Sequence, residues 1–241
     1  MLQQLLPFYF MKLSDKENSV DVIYVDNHLL VLNKPVDLLT QPTNISSDSL
    51  ETRAKDWIKK RYKKPGRVFL ECIHRLDKPV SGMVVFARTS KALSRLQKQM
   101  REKTIAKYYL ALVEGTFSKE KGEMKHTIAH STLKAKLSAS GKSAFLEYKV
   151  KKTYENLSLV EICLHTGRYH QIRVQMSLSK HPVVGDKKYK SRWMLDNGIA
   201  LHHAKMELEH PVTKEKMLFT SNAPFEASIE QYLFQTNARK K

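Results

Sequence analysis

The fold of this chain is constrained most by a series of short apolar runs, each bounded by charged or turn-forming residues. Runs of this length are typical of strands, whereas helices need longer periodic segments. VFLECIH and GMVVFAR flank the polar segment RLDKPVS, which predicts strand, loop and strand. KYYLALVEG is apolar on both alternating faces, as expected for a central strand that is covered on both sides. Further strands are predicted at 144–151, 158–165, 200–208 and 216–221.

Local turn and cap signals add one hairpin and three helices to these strands. VDVIYVDNHLLVLNKP predicts two strands that flank a turn at Asp26 and Asn27. The first helix is predicted to follow Asp48 as its N-cap, a second to begin with Ser90 as its cap, and a third to begin near His170. Many strands with few helices predict an α+β fold.

The ends of the chain and one internal segment have weaker patterns. Residues 1–19 are predicted to be an N-terminal extension, residues 20–235 the folded domain and residues 236–241 a basic tail. Residues 117–143 are rich in Lys, Ser and Gly without sustained periodicity, so we expect short edge structure and a mobile basic loop there. The apolar opening MLQQLLPFYFM is too short to span a bilayer and precedes no cleavage signal, so we expect a cytoplasmic protein with no membrane segment.

The charge balance points to a polyanionic partner. The chain has 42 Lys and Arg against 24 Asp and Glu, a net charge of +18. Basic side chains bind nucleic acid by releasing condensed counterions, although solubility alone is an alternative explanation. Cys72 and Cys163 lie in apolar runs and form no disulfide or CxxC pattern. The sequence contains no GxxxxGK[ST], GxGxxG or HExxH motif, so nucleotide-fuelled and zinc-protease chemistry have no support.

Two polar segments are candidates for chemistry. Asp77 lies in the loop HRLDKPVSG between two predicted strands, where a scaffold holds functional groups, but Asp before Lys-Pro is also ordinary turn chemistry. The second segment is GRYHQIRV, residues 167–174. Arg168 and Arg173 there would also serve as basic surface residues, and His170 as a hydrogen-bonding residue at a helix start. Taken alone, neither segment decides the function.

Together these segments resemble the RluA family of RNA pseudouridine synthases. HRLDKPVSGMVVFART is similar to the family pattern HRLDxxTSG followed by an apolar strand, and GRYHQIRV to its GRxHQIR motif. NHLLVLNKP, the K-x-Y-x-A-x-V-x-G pattern of residues 107–115 and HPVVGDKKY extend the resemblance over nearly the whole chain after residue 20. It implies a pseudouridine synthase catalytic fold, in which a mixed, mostly antiparallel curved sheet is flanked by helices and loops around a central cleft.

The departures from the family pattern are few. Val80 replaces a common Thr, and Tyr169 replaces a frequent Thr or Ser. The S4 RNA-binding domain of many relatives is not expected, since only about twenty residues precede the catalytic region. Substrate choice would then depend on the catalytic domain.

The resemblance also assigns roles to individual residues. Asp77 is the expected catalytic carboxylate, attacking C1′ of the ribose or removing the 2′ proton, and Arg173 is expected to pair with it through a bidentate guanidinium. Tyr109 is expected to stack on the target uracil, with Tyr108 as the core residue on the opposite face. Arg75, aided by His74, is expected to fill the place of the extruded base.

The expected partner is structured RNA, either ribosomal or transfer RNA. Besides His74 and Arg75, the residues predicted to contact it are Arg168, His170, Lys91, Arg95, Lys98, Lys134 and Lys136. No cofactor and no metal are expected, because the reaction is a redox-neutral isomerisation, and we expect a monomer. Two alternatives remain: a non-catalytic RNA-binding protein on a retired synthase scaffold, and a hydrolase with an Asp nucleophile that releases free uracil.

Overall fold

The computed structural model of the chain describes residues 20–131, 134–226 and 229. In these residues eleven strands form one sheet, accompanied by three α-helices. The strands are β1 Asp21–Val25, β2 Leu29–Lys34, β3 Glu71–Cys72, β4 Ser81–Ala87, β5 Ala106–Glu114, β6 Lys121–His130, β7 Ala135–Leu137, β8 Lys142–Thr153, β9 Leu157–Leu164, β10 Leu201–Glu209 and β11 Lys216–Thr220. The helices are α1 Leu50–Arg61, α2 Ser90–Glu102 and α3 Gln171–Leu178.

The sheet is mixed and mostly antiparallel, which confirms the predicted fold class. Its strand order is β1-β2-β4-β10-β5-β9-β8-β6-β7, with β11 on β10 and β3 on β4. β4 and β10 run parallel, and the other strand pairs are antiparallel. β5 lies in the middle of this order. Its neighbouring residues Leu112 and Val113 point to opposite faces of the sheet and pack into different hydrophobic clusters. The predicted central strand covered on both faces is therefore confirmed.

The helices begin one residue away from the predicted caps. The N-cap of α1 is Ser49, whose side chain accepts from the Thr52 amide, while Asp48 instead pairs with Arg53 at 2.7 Å. The N-cap of α2 is Thr89, and Ser90 is already helical. Both capping residues have extended backbone, which places the side-chain oxygen over the free amides of the first turn. The predicted start of α3 near His170 is confirmed.

Over 117–143 the predicted short edge structure agrees with β7, a three-residue strand at one end of the strand order, but the ten-residue strand β6 forms where most of the basic loop was predicted. β6 pairs with β8 over residues 121–128 and with β7 over residues 128–130. Only Met124 and Ile128 are buried among the residues of β6. The alternation of apolar residues that identifies a strand is therefore too sparse to see in the sequence. The first of the two apolar runs around Asp77 is also less regular than predicted, since β3 has two residues.

The predicted N-terminal extension, residues 1–19, and the basic tail, residues 236–241, lie outside the described residues. No helix in the described part of the chain combines the length and apolarity needed to cross a membrane.

Gly82 allows β4 and β10 to approach closely just after the loop that carries Asp77. It has φ +114, and it pairs in parallel register with His203. A Cβ atom at this position would lie 2.4 Å from the His203 amide nitrogen, a backbone atom that cannot move aside. Both the space and the backbone conformation therefore require glycine.

Gly82→Ala is expected to destabilise the protein by about 2–4 kcal/mol, because it adds backbone strain to overpacking. The matched control is Gly66→Ala, at an exposed glycine with no atom within 4 Å of the added Cβ. We expect the control to stay within about 0.5 kcal/mol of the parent protein. Urea unfolding of the two variants measures the difference. Equal free energies of unfolding would contradict the close approach.

Candidate active site

The two motif segments line one cleft of about 350 Å³, although Asp77 and Arg173 are 96 residues apart in sequence. Asp77 lies in the loop between β3 and β4, and Arg173 lies in the first turn of α3. The cleft is lined by both motifs and by the central strand β5, including His74, Arg75, Asp77, Lys107, Tyr109, Arg168, His170 and Arg173. The fold therefore brings the predicted catalytic residues together.

Arg173 is shared between two carboxylates. Its Nη1 donates to Asp77 Oδ2 at 2.9 Å, while Nε and Nη2 donate to Asp186 Oδ2 and Oδ1 at 2.7 and 2.9 Å. The predicted contact between Arg173 and Asp77 is confirmed, but the bidentate partner is Asp186. The Asp77 side chain is 25% exposed and that of Asp186 is 1% exposed. Asp77 is thus the carboxylate of this triad that a substrate can reach.

The electrostatics of the triad keep the guanidinium charged. Burial lowers the pKa of Arg173, but the hydrogen bonds and charges of Asp186, and then of Asp77, outweigh burial and raise it above its ordinary value. Asp186 was not among the site residues predicted from the sequence. Asp186 ends the HPVVGD segment, which is part of the family resemblance. That segment alone did not indicate that Asp186 contacts Arg173.

His170 contacts the same carboxylate oxygen from the start of α3, three residues before Arg173. It precedes α3 with a left-handed backbone, φ +51, and makes no side-chain cap to the helix. Its Nε2 lies 3.4 Å from Asp77 Oδ2. Burial lowers the pKa of His170 to about 4, despite the opposing charge of Asp77, so the ring is neutral near pH 7. The contact is therefore a polar contact of a neutral imidazole, not an ion pair.

A buried chain of hydrogen bonds reaches His170 from β7. The Tyr189 hydroxyl accepts from the Ala135 amide at 2.7 Å and lies 2.9 Å from His170 Nδ1. Its own proton is free to donate to Nδ1, since the other acceptor, the Ala135 carbonyl, is farther away at 3.4 Å. If Tyr189 donates to Nδ1, the imidazole N–H is on Nε2, the nitrogen 3.4 Å from Asp77 Oδ2. These contacts connect β7 to the loop that carries Asp77.

Tyr109 forms the floor of the cleft. It is 7% exposed and its ring stacks on His203, with centroids 4.6 Å apart. Burial, and then the charge of Asp77, raise the pKa of Tyr109, so its hydroxyl stays protonated. Tyr108 is on the opposite face as predicted, but its assignment to the core is wrong. It is only half-buried and has the Lys205 ammonium 4.4 Å from its ring centroid.

Two further histidines beneath Tyr109 are neutral. Burial lowers the pKa of His203 to about 3, and burial followed by the charge of His203 lowers that of His74 well below its ordinary value. His74 Nε2 accepts from the Val85 amide, which places its ring proton on Nδ1. That buried Nδ1 has no hydrogen-bond partner among the described residues. The positive charge closest to Asp77 therefore comes from Arg173 and not from this histidine pair.

Lys34 is a buried cation that supports the loop carrying Asp77, and it was not among the residues predicted from the sequence. Its ammonium donates to the carbonyls of Pro35, Leu38 and Lys78 at 2.9, 2.7 and 3.1 Å. Lys78 follows Asp77 directly, so Lys34 ties the loop that carries Asp77 to the end of β2. Burial lowers the pKa of Lys34 to about 8, against the opposing charges of Asp37 and Asp77. Its position in the apolar run NHLLVLNKP was the one sequence feature that could have indicated a buried lysine.

The predicted RNA-binding residues at the rim of the cleft are exposed. Arg75 lines the cleft with its side chain open to solvent. Arg168 also lines it, with Nε anchored on the Ser143 carbonyl at 2.9 Å. Lys134 and Lys136 are exposed on either side of Ala135, the residue that meets Tyr189. The basic β6–β7 hairpin therefore lies next to the cleft.

The predicted RNA contacts on α2 have a less direct relation to the cleft. Met100, near the end of this helix, lines the cleft, and Lys91 is exposed at the beginning of the helix. Lys98 lies 3.7 Å from Glu102, and Arg95 donates to the Pro211 carbonyl at 2.7 Å. The position of the Arg95 side chain is thus explained by a contact within the protein, without an RNA partner.

Comparison with known proteins agrees with this geometry. Residues 28–178 match the family described as RNA pseudouridylate synthase. The chain is 35% identical over 219 residues to "Uncharacterized RNA pseudouridine synthase YhcT" of Bacillus subtilis, covering 88% of this chain and 70% of that protein. It is 34% identical to "Dual-specificity RNA pseudouridine synthase RluA" of Haemophilus influenzae, covering 87% of this chain and 95% of that protein. It is 32% identical to "Ribosomal large subunit pseudouridine synthase C" of Vibrio cholerae, covering 88% of this chain and 68% of that protein.

Solved structures share the fold. The structure titled "Human RNA Pseudouridylate Synthase Domain Containing 4" aligns with a TM-score of 0.74 at 21% identity, covering 88% of this chain and 92% of that chain. "Human RNA Pseudouridylate Synthase Domain Containing 1" aligns with a TM-score of 0.71 at 21% identity, covering 95% of this chain and 90% of that chain. The chain belongs to the RNA pseudouridylate synthases, isomerases that act on RNA, and among these to the RluA family.

Lys34→Met is expected to remove a pH dependence of stability. Because the folded pKa of about 8 lies below the ordinary 10.5, the unfolded chain binds more protons between these values and stability rises with pH there. The parent protein should gain about 2 kcal/mol relative to Lys34→Met between about pH 7.5 and 9.5. Urea unfolding at several pH values measures this difference in the free energy of unfolding. The variant Lys59→Met, at an exposed site, is the control. Parallel pH profiles for the parent and Lys34→Met would contradict a buried ammonium.

Proposed function

We propose that this synthase converts specific uridines of structured ribosomal or transfer RNA to pseudouridine, with Asp77 as the catalytic carboxylate acting on a uridine flipped into the cleft. The observation that supports this most is the sharing of Arg173 between Asp77 and Asp186. It leaves one partly exposed carboxylate beside a permanent cation, inside a cleft large enough for a base.

The reaction breaks the bond between N1 of uracil and C1′ and forms a bond between C5 and C1′. A proton leaves C5, and N1 acquires one, so no electron donor or acceptor is needed. Asp77 would act either by attacking C1′, with the uracil leaving as an anion, or by removing the 2′ proton to give a glycal. Both roles require a carboxylate that stays ionised in a partly desolvated site, which is the condition that Arg173 supplies.

The walls of the cleft suit a planar, neutral base. Tyr109 offers an aromatic ring, and because its hydroxyl stays protonated it adds no negative charge near a departing uracil anion. His170 presents an N–H to Asp77 while remaining neutral, so it helps to orient the carboxylate without competing with Arg173 for its charge. Tyr109 and His170 would thus position substrate and carboxylate.

Access to the uridine requires extrusion from its stack, which costs a few kcal/mol. Arg75 is two residues from Asp77, exposed, and at the rim of the cleft, where a guanidinium can fill the vacated place. His74 is a secondary candidate. A monomer that needs no cofactor is sufficient for every step of this scheme.

The names of the relatives favour ribosomal RNA within the proposed substrate class. One is called a ribosomal large subunit synthase, and another, which the chain covers almost completely, is called dual-specificity. We propose the RNA of the large ribosomal subunit first and transfer RNA second. Mapping pseudouridines in total RNA from cells with and without the gene distinguishes them, because a site lost on deletion identifies the substrate.

Asp77→Asn is expected to abolish pseudouridine formation while leaving the fold intact, because it keeps the size of the side chain and removes its charge. The gene for this variant should not restore the site that is lost on deletion. The matched control, Asp56→Asn, changes an exposed carboxylate on α1 and should restore it fully. Mass spectrometry of the nucleosides measures the product.

Each outcome of this experiment decides between the alternatives. Full modification by Asp77→Asn would refute the catalytic assignment. Free uracil from the parent protein would instead favour the hydrolase, and no change in the RNA would favour a retired scaffold.

Replacing Lys134 and Lys136 by Gln is expected to make RNA binding less dependent on salt. Each phosphate contact contributes roughly 0.7–0.9 to the slope of log affinity against log salt, so the slope should become shallower by about 1.5. Lys63→Gln with Lys64→Gln, an exposed pair after α1, is the matched control. Filter binding over a salt series measures both slopes. If the two double variants have the slope of the parent protein, the hairpin lysines do not contact RNA.

A further inference from the structure

A group of three potential metal ligands lies on the face of the sheet opposite the cleft. Glu147 of β8 pairs directly with Cys163 of β9, and His165 follows two residues later on the same side. Cys163 also pairs with Tyr108, the neighbour of Tyr109 that points away from the cleft. The group is therefore separated from Asp77 by the sheet itself.

The three donor atoms are already close together. His165 Nε2 lies 2.7 Å from Glu147 Oε2, and all three donor atoms lie within 4.8 Å of one another. His165 stacks on Phe145, with centroids 4.4 Å apart and planes at 12°, which holds its Nε2 toward the group. Zinc bound by sulfur at about 2.3 Å and by nitrogen or oxygen at about 2.0–2.2 Å separates neighbouring ligand atoms by about 3–4 Å. Small side-chain rotations would reach that geometry.

We propose that Glu147, Cys163 and His165 bind a divalent metal ion of the zinc class, outside the active site and independently of it. A thiol and an imidazole are poor ligands for magnesium or calcium, and together with a carboxylate they suit zinc. The side chains of His165 and Glu147 are 36% and 53% exposed, so an ion can enter from solvent. A water molecule would complete the coordination.

The charges of the ion and its ligands would balance on binding. Binding would release the thiol proton to solvent, and the resulting thiolate and the Glu147 carboxylate would balance the two charges of zinc.

The bound ion would link β8 to β9. β8 also pairs with β6, so the link would stabilise the side of the sheet that holds the basic hairpin. No residue of the proposed site lines the cleft. We therefore expect the ion to raise thermal stability without being required for basal synthase activity.

The test uses cobalt as a spectroscopic probe of the tag-free, full-length protein. Titration with Co²⁺ should give a one-to-one complex with thiolate-to-cobalt charge-transfer absorption and the visible bands of tetrahedral cobalt, and Zn²⁺ should displace it. Cys163→Ser and His165→Gln should each abolish the charge-transfer band or weaken binding at least about tenfold, as loss of a ligand does. The control Cys72→Ser removes the thiol of β3 and should bind as the parent does.

Several results would overturn the proposal. They are absence of the charge-transfer band in the parent protein, its persistence in Cys163→Ser, or its loss in Cys72→Ser. Circular dichroism of each variant confirms that it is folded, so a failure to fold is not scored as a failure to bind. The melting temperature provides a second readout, since added Zn²⁺ should raise it in the parent and in Cys72→Ser but not in Cys163→Ser.

Discussion

The active site depends on one guanidinium that two carboxylates share. Arg173 gives two of its hydrogen bonds to Asp186, which is fully buried, and one to Asp77, which is partly exposed. The bidentate pair fixes the orientation of the guanidinium, so the third contact places Asp77 at a defined point of the cleft. Removing Arg173 would strand two carboxylates, one of them deep in the protein, at a cost of about 3–5 kcal/mol. Loss of activity in such a variant would therefore be difficult to separate from loss of folding.

The surrounding fold holds Asp77 from several directions. Gly82 lets β4 approach β10 immediately after the loop that carries Asp77, and Lys34 ties that loop to the end of β2 through buried hydrogen bonds. Tyr189 connects β7 to the ring of His170, which faces Asp77. The contacts from Ala135 through Tyr189 and His170 thus place the basic hairpin and Asp77 in one connected structure.

Elements that are determined by local patterns of residues could be predicted from the sequence. The strands that are buried on both faces and the start of α3 agree with the structure, because apolar runs and turn residues record them directly. The resemblance to a family brought Asp77 and Arg173 together, which no local pattern would have done. The strand β6 escaped prediction because its polar residues face solvent on the outer part of the sheet. Asp186 was not assigned a contact, because its role depends on a pairing that only the folded chain creates.

A structure of the Asp77→Asn variant with a uridine-containing RNA would show whether residue 77 contacts the target ribose, since the variant should trap the substrate before reaction. One uridine should be flipped into the cleft with its base against Tyr109. The proposed catalytic role of Asp77 predicts that the C1′ or 2′ carbon of this uridine lies within about 3.5 Å of the residue 77 side chain, the separation expected of reacting groups. RNA bound elsewhere, with the cleft empty or the residue 77 side chain turned away from the ribose, would contradict it.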